Sequence, residues 1–114
     1  MPLGLTFARA DGGNTDTVTP VGTTLSGAPT LTGFTNICTA AAGNVAVNLP
    51  QNASGPVVVF NNAATAVSLT VFPPTAAGTI NNGSAGAAVS ISQNKSAVFY
   101  PLAGGVSWVG VLSA

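Results

Sequence analysis

The chain has 114 residues, of which 46% are hydrophobic and only 4% are charged. Its charged residues are Arg9, Asp11, Asp16 and Lys95, and the formal net charge is zero, so no basic stripe exists to neutralise nucleic-acid phosphates. The longest apolar runs have strand length and not the ~20 residues of a membrane-spanning helix, so we expect no membrane partner either. A surface without net charge favours association, which predicts a homo-oligomer.

Residues 1–35 differ from the rest of the chain because they are rich in Thr, Gly and Pro and contain three of the four charges. Their weak alternation predicts an extended N-terminal arm with one or two short strands. Such an arm can add main-chain hydrogen bonds to the sheet edge of a partner, as in β-augmentation. We expect Arg9, Asp11 and Asp16 to fix its register, because charge pairs contribute specificity.

The same arm offers oxygen ligands for a cation. Asp11, Asn14 and Asp16 in "DGGNTD" could approach Ca²⁺ in a flexible loop, but two carboxylates without a bidentate Glu make a weak site. We interpret the segment as a solvated turn and predict no metal.

Residues 36–114 predict an all-β module. Asn44–Leu49, Ala66–Phe72 and Ala87–Ser92 alternate apolar and polar residues, as half-buried strands do, and Val106–Leu112 is a closing strand. Short turn-rich connections favour a small antiparallel sandwich or barrel. The predicted core comprises the apolar residues on one side of these strands and one central Phe: Val45, Val47, Leu49, Val67, Leu69, Val71, Val89, Ile91 and Phe99.

Two further strands, Val57–Phe60 and Ala97–Tyr100, are apolar on both sides. In so small a protein, a neighbouring subunit is the simplest cover for the second side. We therefore predict a closed homo-oligomer, a homotrimer, with an interface that the following residues form: Val57, Phe60, Val98 and Tyr100.

The connections predict hairpins. "LPQNASGP" links the first pair of strands, "NNAAT" the second, and "SQNKS" closes a third hairpin. Asn82-Gly83 is typical of a type I′ turn. Lys95 lies at the predicted tip of the third hairpin, where a charge discourages edge-to-edge pairing.

Catalytic chemistry has little support in the sequence. The chain contains no His and no Glu, which removes the commonest general bases. Ser92 and Lys95 match S-x-x-K, but that pattern places both residues on one face only in a helix, and here it crosses a predicted turn. We predict no enzyme and no cofactor, and we interpret the lone Cys38 as a small buried hydrophobe.

Aromatic residues leave two interpretations open. Trp108 and Tyr100 could stack on a sugar, whereas a lone Trp on a terminal strand more often fills a core or an interface. The sequence favours the second interpretation for Trp108.

An ordered set of segments resembles small β modules of tailed-bacteriophage virions. The segments are "AAAGNVAVNLP", "PVVVFNNAATAVSLTVFPP", "TINNGSAGAAVSISQNKSAVFYP" and "WVGV", and they span Ala40 to Val111. Such modules occur in head decoration (cement) proteins, head fibres and some tail-fibre regions. The resemblance implies a non-enzymatic, homotrimeric virion protein bound outside the capsid shell.

Two functions follow from that resemblance. The first is a structural decoration protein on the outer capsid surface, which contacts the major capsid protein and adds stabilising contacts between its subunits. The second is a fibre tip or adhesin that contacts a host glycan. The chain lacks the long repetitive shaft of a dedicated tail fibre, which favours the first.

Overall fold

The structure is a computed structural model and describes residues 15–113. This part of the chain forms eight strands and a single 3₁₀ turn at Leu25–Gly27. No helix in residues 15–113 has the length and apolar character needed to cross a membrane. In chain order the strands are β1 Thr15–Val18, β2 Thr35–Cys38, β3 Val45–Asn48, β4 Val57–Asn61, β5 Leu69–Phe72, β6 Val89–Ile91, β7 Ser96–Pro101 and β8 Trp108–Leu112.

The strands form two sheets that share one core. The five-stranded sheet has the order β1-β2-β4-β7-β8, and the three-stranded sheet has the order β3-β5-β6. Residues of both sheets join a single buried cluster that contains Leu69 and Val71 from the small sheet and Val59 and Phe99 from the large one. The all-β fold and its sandwich-like two-sheet arrangement are confirmed.

Strand pairing differs from the expected antiparallel arrangement. β1 and β2, β2 and β4, and β3 and β5 pair in parallel. Only β4 and β7, β5 and β6, and β7 and β8 are antiparallel. Both sheets are therefore mixed.

The parallel pairs arise because the chain repeatedly crosses between the sheets. The predicted hairpin connections at residues 49–56, 61–65 and 92–96 each join a strand of one sheet to a strand of the other, so these three are not hairpins. The prediction was wrong because turn residues report how sharply the chain bends, and not which sheet it enters next. The β7–β8 connection is a true hairpin.

Asparagines with positive φ make several of the bends. Asn94 has φ 60°, and the Lys95 amide donates to the Ser92 carbonyl at 3.1 Å. Asn81 and Asn82 have φ 56° and 61°, which is the left-handed region that Asn tolerates better than most residues. The type I′ turn is therefore centred on Asn81-Asn82, one residue earlier than predicted.

The described part of the predicted arm, residues 15–35, lies against both sheets. Its β1 is an edge strand of the large sheet. It then follows the edge of β3, where the Leu31 amide donates to the Asn48 carbonyl at 2.9 Å and the Asn48 amide donates to the Pro29 carbonyl at 2.8 Å. Residues 1–14 lie outside the described residues.

Burial confirms most of the predicted core. Val47, Leu49, Leu69, Val71, Ile91 and Phe99 are buried. Val45, Val67 and Val89 are only partly buried, because they lie near the ends of short strands. The core also contains Trp108, for which the sequence favoured a core or interface position, and apolar residues that were not predicted for it: Leu31, Val57, Val59, Ile80 and Ala97.

Candidate interaction surface

The outward face of the five-stranded sheet carries a continuous group of apolar side chains. Successive residues of a strand point to opposite sides, and in β4 the residues Val57, Val59 and Asn61 are buried while Val58 and Phe60 are half-buried. Val58 and Phe60 therefore point outward. The same alternation places Val98 and Tyr100 of β7 on that side.

Register aligns these residues across the sheet. Val58 of β4 pairs with Val98 of β7, and Val98 pairs with Val111 of β8. Tyr100 pairs with Val109. We name the outward apolar residues of β4, β7 and β8 the apolar half of the face; its members are Val58, Phe60, Val98, Tyr100, Val109 and Val111.

The apolar half is open to solvent. Tyr100, Val109 and Val111 are 47%, 39% and 60% exposed. Contiguous exposed apolar patches on soluble proteins commonly mark interaction sites. This surface is therefore the strongest candidate functional site in residues 15–113.

The remainder of the face is polar but uncharged. Thr35 of β2 lies beside Val58, and Thr15 of β1 lies beside Thr35. Thr17 of β1 lies beside Ile37 of β2. We name Thr15, Thr17 and Thr35 the threonine half; Ile37 lies between the two halves.

The structure brings three of the four predicted interface residues together. Phe60, Val98 and Tyr100 all belong to the apolar half. Val57 instead points inward and is 2% exposed, while its neighbour Val58 takes the outward position. The reason is that the run "VVVF" has no polar residue that would fix the phase of the strand.

Sequence reasoning missed Val109 and Val111. Both alternate with the buried Trp108 and with Gly110 in "WVGV", so a period-two pattern was present. Gly110 is needed because a Cβ there would lie 2.6 Å from Cε1 of Phe99. The Phe99 ring thus packs directly beneath the β8 backbone.

A shallow groove of about 330 Å³ adjoins the apolar half. Phe34, Thr35, Pro56 and Val58 line it, and Phe34 is 42% exposed. Its lining has no charged group, so it extends the neutral character of the face.

The aromatic residues take different positions. Trp108 is 1% exposed and belongs to the core, so its ring offers no stacking surface for a sugar. Tyr100 is exposed on the apolar half. The interpretation of Trp108 as a core residue is confirmed.

Charged residues lie elsewhere on the domain. The Thr32 hydroxyl donates to Oδ2 of Asp16 at 3.0 Å, and Asp16 pairs in register with the buried Asn36, on the side of the sheet opposite the apolar half. Lys95 is exposed in the turn between β6 and β7. Arg9, Asp11 and Asn14 lie outside the described residues, and within residues 15–113 no group of three or more His, Cys, Asp or Glu could hold a metal.

The Ser92–Lys95 segment is a turn, as predicted. The Lys95 amide bonds to the Ser92 carbonyl, and both residues are exposed. Ser92 and Lys95 therefore do not share a helix face, which is the arrangement that the S-x-x-K pattern requires.

Cys38 is fully buried, as the sequence predicted. Burial disfavours the charged thiolate and raises the pKa of the Cys38 thiol from 9.0 to about 12. This thiol is therefore poorly reactive at neutral pH.

No protein-family model, curated protein or solved structure matches the chain.

Proposed function

We propose that this chain is a structural virion protein of a tailed bacteriophage: a capsid decoration (cement) protein that forms a homotrimer on the outer head surface. In this role it contacts the major capsid protein and adds stabilising contacts between capsid subunits. It performs no catalysis and needs no cofactor.

The uncharged apolar half is the observation that carries the proposal. A patch of this kind on so small a domain favours permanent association with other protein surfaces over turnover of a small substrate. The sequence resemblance, which runs from Ala40 to Val111, supplies the virion setting, and it covers β3 to β8.

The glycan-binding alternative has less support. Its main candidate for stacking, Trp108, is buried, and Tyr100 alone would supply one aromatic surface. The decoration role therefore stands as the function proposed.

Attachment to the shell is assigned to the arm. Arg9, Asp11 and Asp16 contain most of the charge of the chain, whereas the outward face of the large sheet has none. Charge pairs give docking its specificity, and three arms in a trimer would multiply avidity.

The test uses capsids assembled from the major capsid protein of the same phage without this chain. We expect the purified protein to bind them in hundreds of copies per particle, counted by cryo-electron microscopy, and to raise their melting temperature. A few copies confined to the tail would contradict the decoration role.

The arm is tested by deleting residues 1–14, which leaves β1 in place. We expect a folded oligomer, checked by circular dichroism and light scattering, that no longer binds capsids. The substitutions Arg9→Ala and Asp11→Ala in the full chain are the matched control for charge alone. Unchanged capsid affinity of the deletion variant would assign docking to the β module instead.

A further inference from the structure

We propose that the apolar half is the surface through which one copy of this chain binds a second copy. The proposal rests on the homotrimer of the proposed function and names the residues that form it. Its occupant is therefore the same six side chains on a neighbouring subunit.

Charge favours this occupant over a different protein. None of the residues of the apolar half is charged, and the adjoining groove has no charged lining residue either. A partner that presented charged groups would lose their hydration here and find no opposite charge. The equivalent face of a second copy is equally neutral, so nothing charged has to be desolvated.

Size argues against an isolated pair of copies held by the apolar half alone. Three strands spaced ~4.8 Å apart, each with ~5 residues that rise ~3.3 Å, make a face about 14 Å by about 16 Å. This is much smaller than the ~800 Å² that each partner buries in a stable two-body interface. In a closed threefold ring each copy contacts both others. Three such faces would point toward the axis and exclude water together.

Rigidity of the face also favours tight packing. β8 lies directly on the ring of Phe99, since Gly110 has no side chain to separate them, and Phe99 is fully buried. Val109 and Val111 are therefore held on a packed support. A surface that is already ordered loses little conformational freedom on binding.

The first test measures oligomeric state by light scattering and sedimentation. We expect the unmodified protein to be a trimer at micromolar concentration and Val98→Asp to be a monomer, with self-association weakened at least 100-fold. Val98 is the central residue of the row Val58–Val98–Val111, so a charge there has no route to solvent in the assembled ring. The matched control is Ser90→Asp, which adds the same charge to the exposed outward side of β6 and should leave a trimer.

A second variant covers the case in which Val98→Asp fails to fold. Val111 is 60% exposed, so Val111→Asp should leave the folded monomer intact and still prevent trimer formation. A monomeric unmodified protein, or a trimer that persists in both variants, would overturn the proposal.

Thiol labelling gives an independent readout, because Cys38 is buried and remains silent. We expect Val111→Cys to react with a maleimide at least tenfold more slowly than Ser90→Cys in the trimer. Adding Val98→Asp should bring the two rates together. Equal rates in the trimer would show that the face is open and that copies meet elsewhere.

The outcomes separate this proposal from the proposed function. If the protein decorates capsids but Val98→Asp remains trimeric, the interface is wrong and the function stands. If Val98→Asp dissociates the trimer but no form of the protein binds capsids, the interface stands and the function fails.

Discussion

The outward faces of the two sheets differ in what covers them. On the five-stranded sheet, β4, β7 and β8 expose Val, Phe and Tyr side chains. On the three-stranded sheet, Thr70 of β5 and Ser90 of β6 lie side by side, and both are polar. The outward side of the small sheet is therefore mostly polar, with the half-buried Phe72 as the large apolar residue of β5 on that side, whereas the large sheet exposes a row of apolar side chains.

The remaining strand of the small sheet is β3, and residues of the same chain cover its outward side. The Asn48 side chain donates to the Leu25 carbonyl at 2.8 Å and to the Ala28 carbonyl at 3.3 Å, so the 3₁₀ turn at Leu25–Gly27 is held against β3. Ala46 beneath it is fully buried. A sheet side that is covered within the chain leaves little apolar surface open, and the contrast supports the proposal that the large sheet is the side that binds a second copy.

The largest expected effect tests whether the shared interior, and not the apolar half, holds the subunit together. Phe99→Ala should reduce the free energy of unfolding by about 3–5 kcal/mol, because a fully buried ring leaves a cavity. The substitution Tyr100→Ala, at the neighbouring exposed position, should change the free energy of unfolding by less than about 0.5 kcal/mol. Both are measured by urea unfolding in the monomeric Val98→Asp background. Similar losses for the two variants would contradict the assignment of inward and outward sides.

The next effect concerns the internal cover of β3. Asn48→Ala removes two hydrogen bonds to carbonyls and should cost about 1–3 kcal/mol. Hydrogen exchange should accelerate first at the Val21 and Leu31 amides, which bond to Ala46 and Asn48. Thr70→Ala on the same sheet is the control. If both variants leave those amides equally protected, the side chain of Asn48 does not hold the cover in place.

The pH dependence of unfolding at alkaline pH tests whether the Cys38 thiol is buried away from water. Between pH 9.0 and about 12, the unfolded chain has lost the Cys38 proton while the folded chain retains it, so the free energy of unfolding should fall by about 1.4 kcal/mol per pH unit in that window. At pH 10 the loss is therefore about 1.4 kcal/mol. Urea unfolding from pH 8 to pH 10.5 measures it, and Cys38→Ala should abolish the part due to the thiol. An identical slope in both proteins would assign the pH dependence to other groups.

The smallest expected effect comes from two substitutions that make the large sheet's outward face more polar and the small sheet's outward face more apolar. Val98→Thr and Thr70→Val each replace one β-branched residue by another, so subunit stability should change by less than about 1 kcal/mol. Self-association should weaken about tenfold in Val98→Thr and stay unchanged in Thr70→Val, as sedimentation at several concentrations would show. A stronger association of Thr70→Val would mean that the small sheet also takes part in assembly.

Local pattern predicted β3 to β8 and the unusual character of β4 and β7, whereas β1 and β2 were not located individually. Alternation located β3, β5 and β6, and the two-sided apolar runs located the candidate surface. The sequence could not predict that Val58 points outward and Val57 inward, since four apolar residues in a row are compatible with either order of inward and outward positions.

Strand pairing could not be predicted from the sequence for a different reason. Asn94 and its neighbours predict a sharp turn correctly, yet the turn carries the chain from β6 into the other sheet. Pairing of β2 with β4 or of β3 with β5 depends on contacts between distant segments, and no short-range signal records them.

The central pairing of the large sheet has a consequence for synthesis of the protein. β4 is complete at Asn61, but its antiparallel partner β7 begins only at Ser96. During translation, β4 therefore leaves the ribosome with one edge unpaired and both sides apolar, as a segment prone to aggregation. A nascent chain arrested before Ser96 should bind chaperones, and release should follow once β7 has emerged to close that edge.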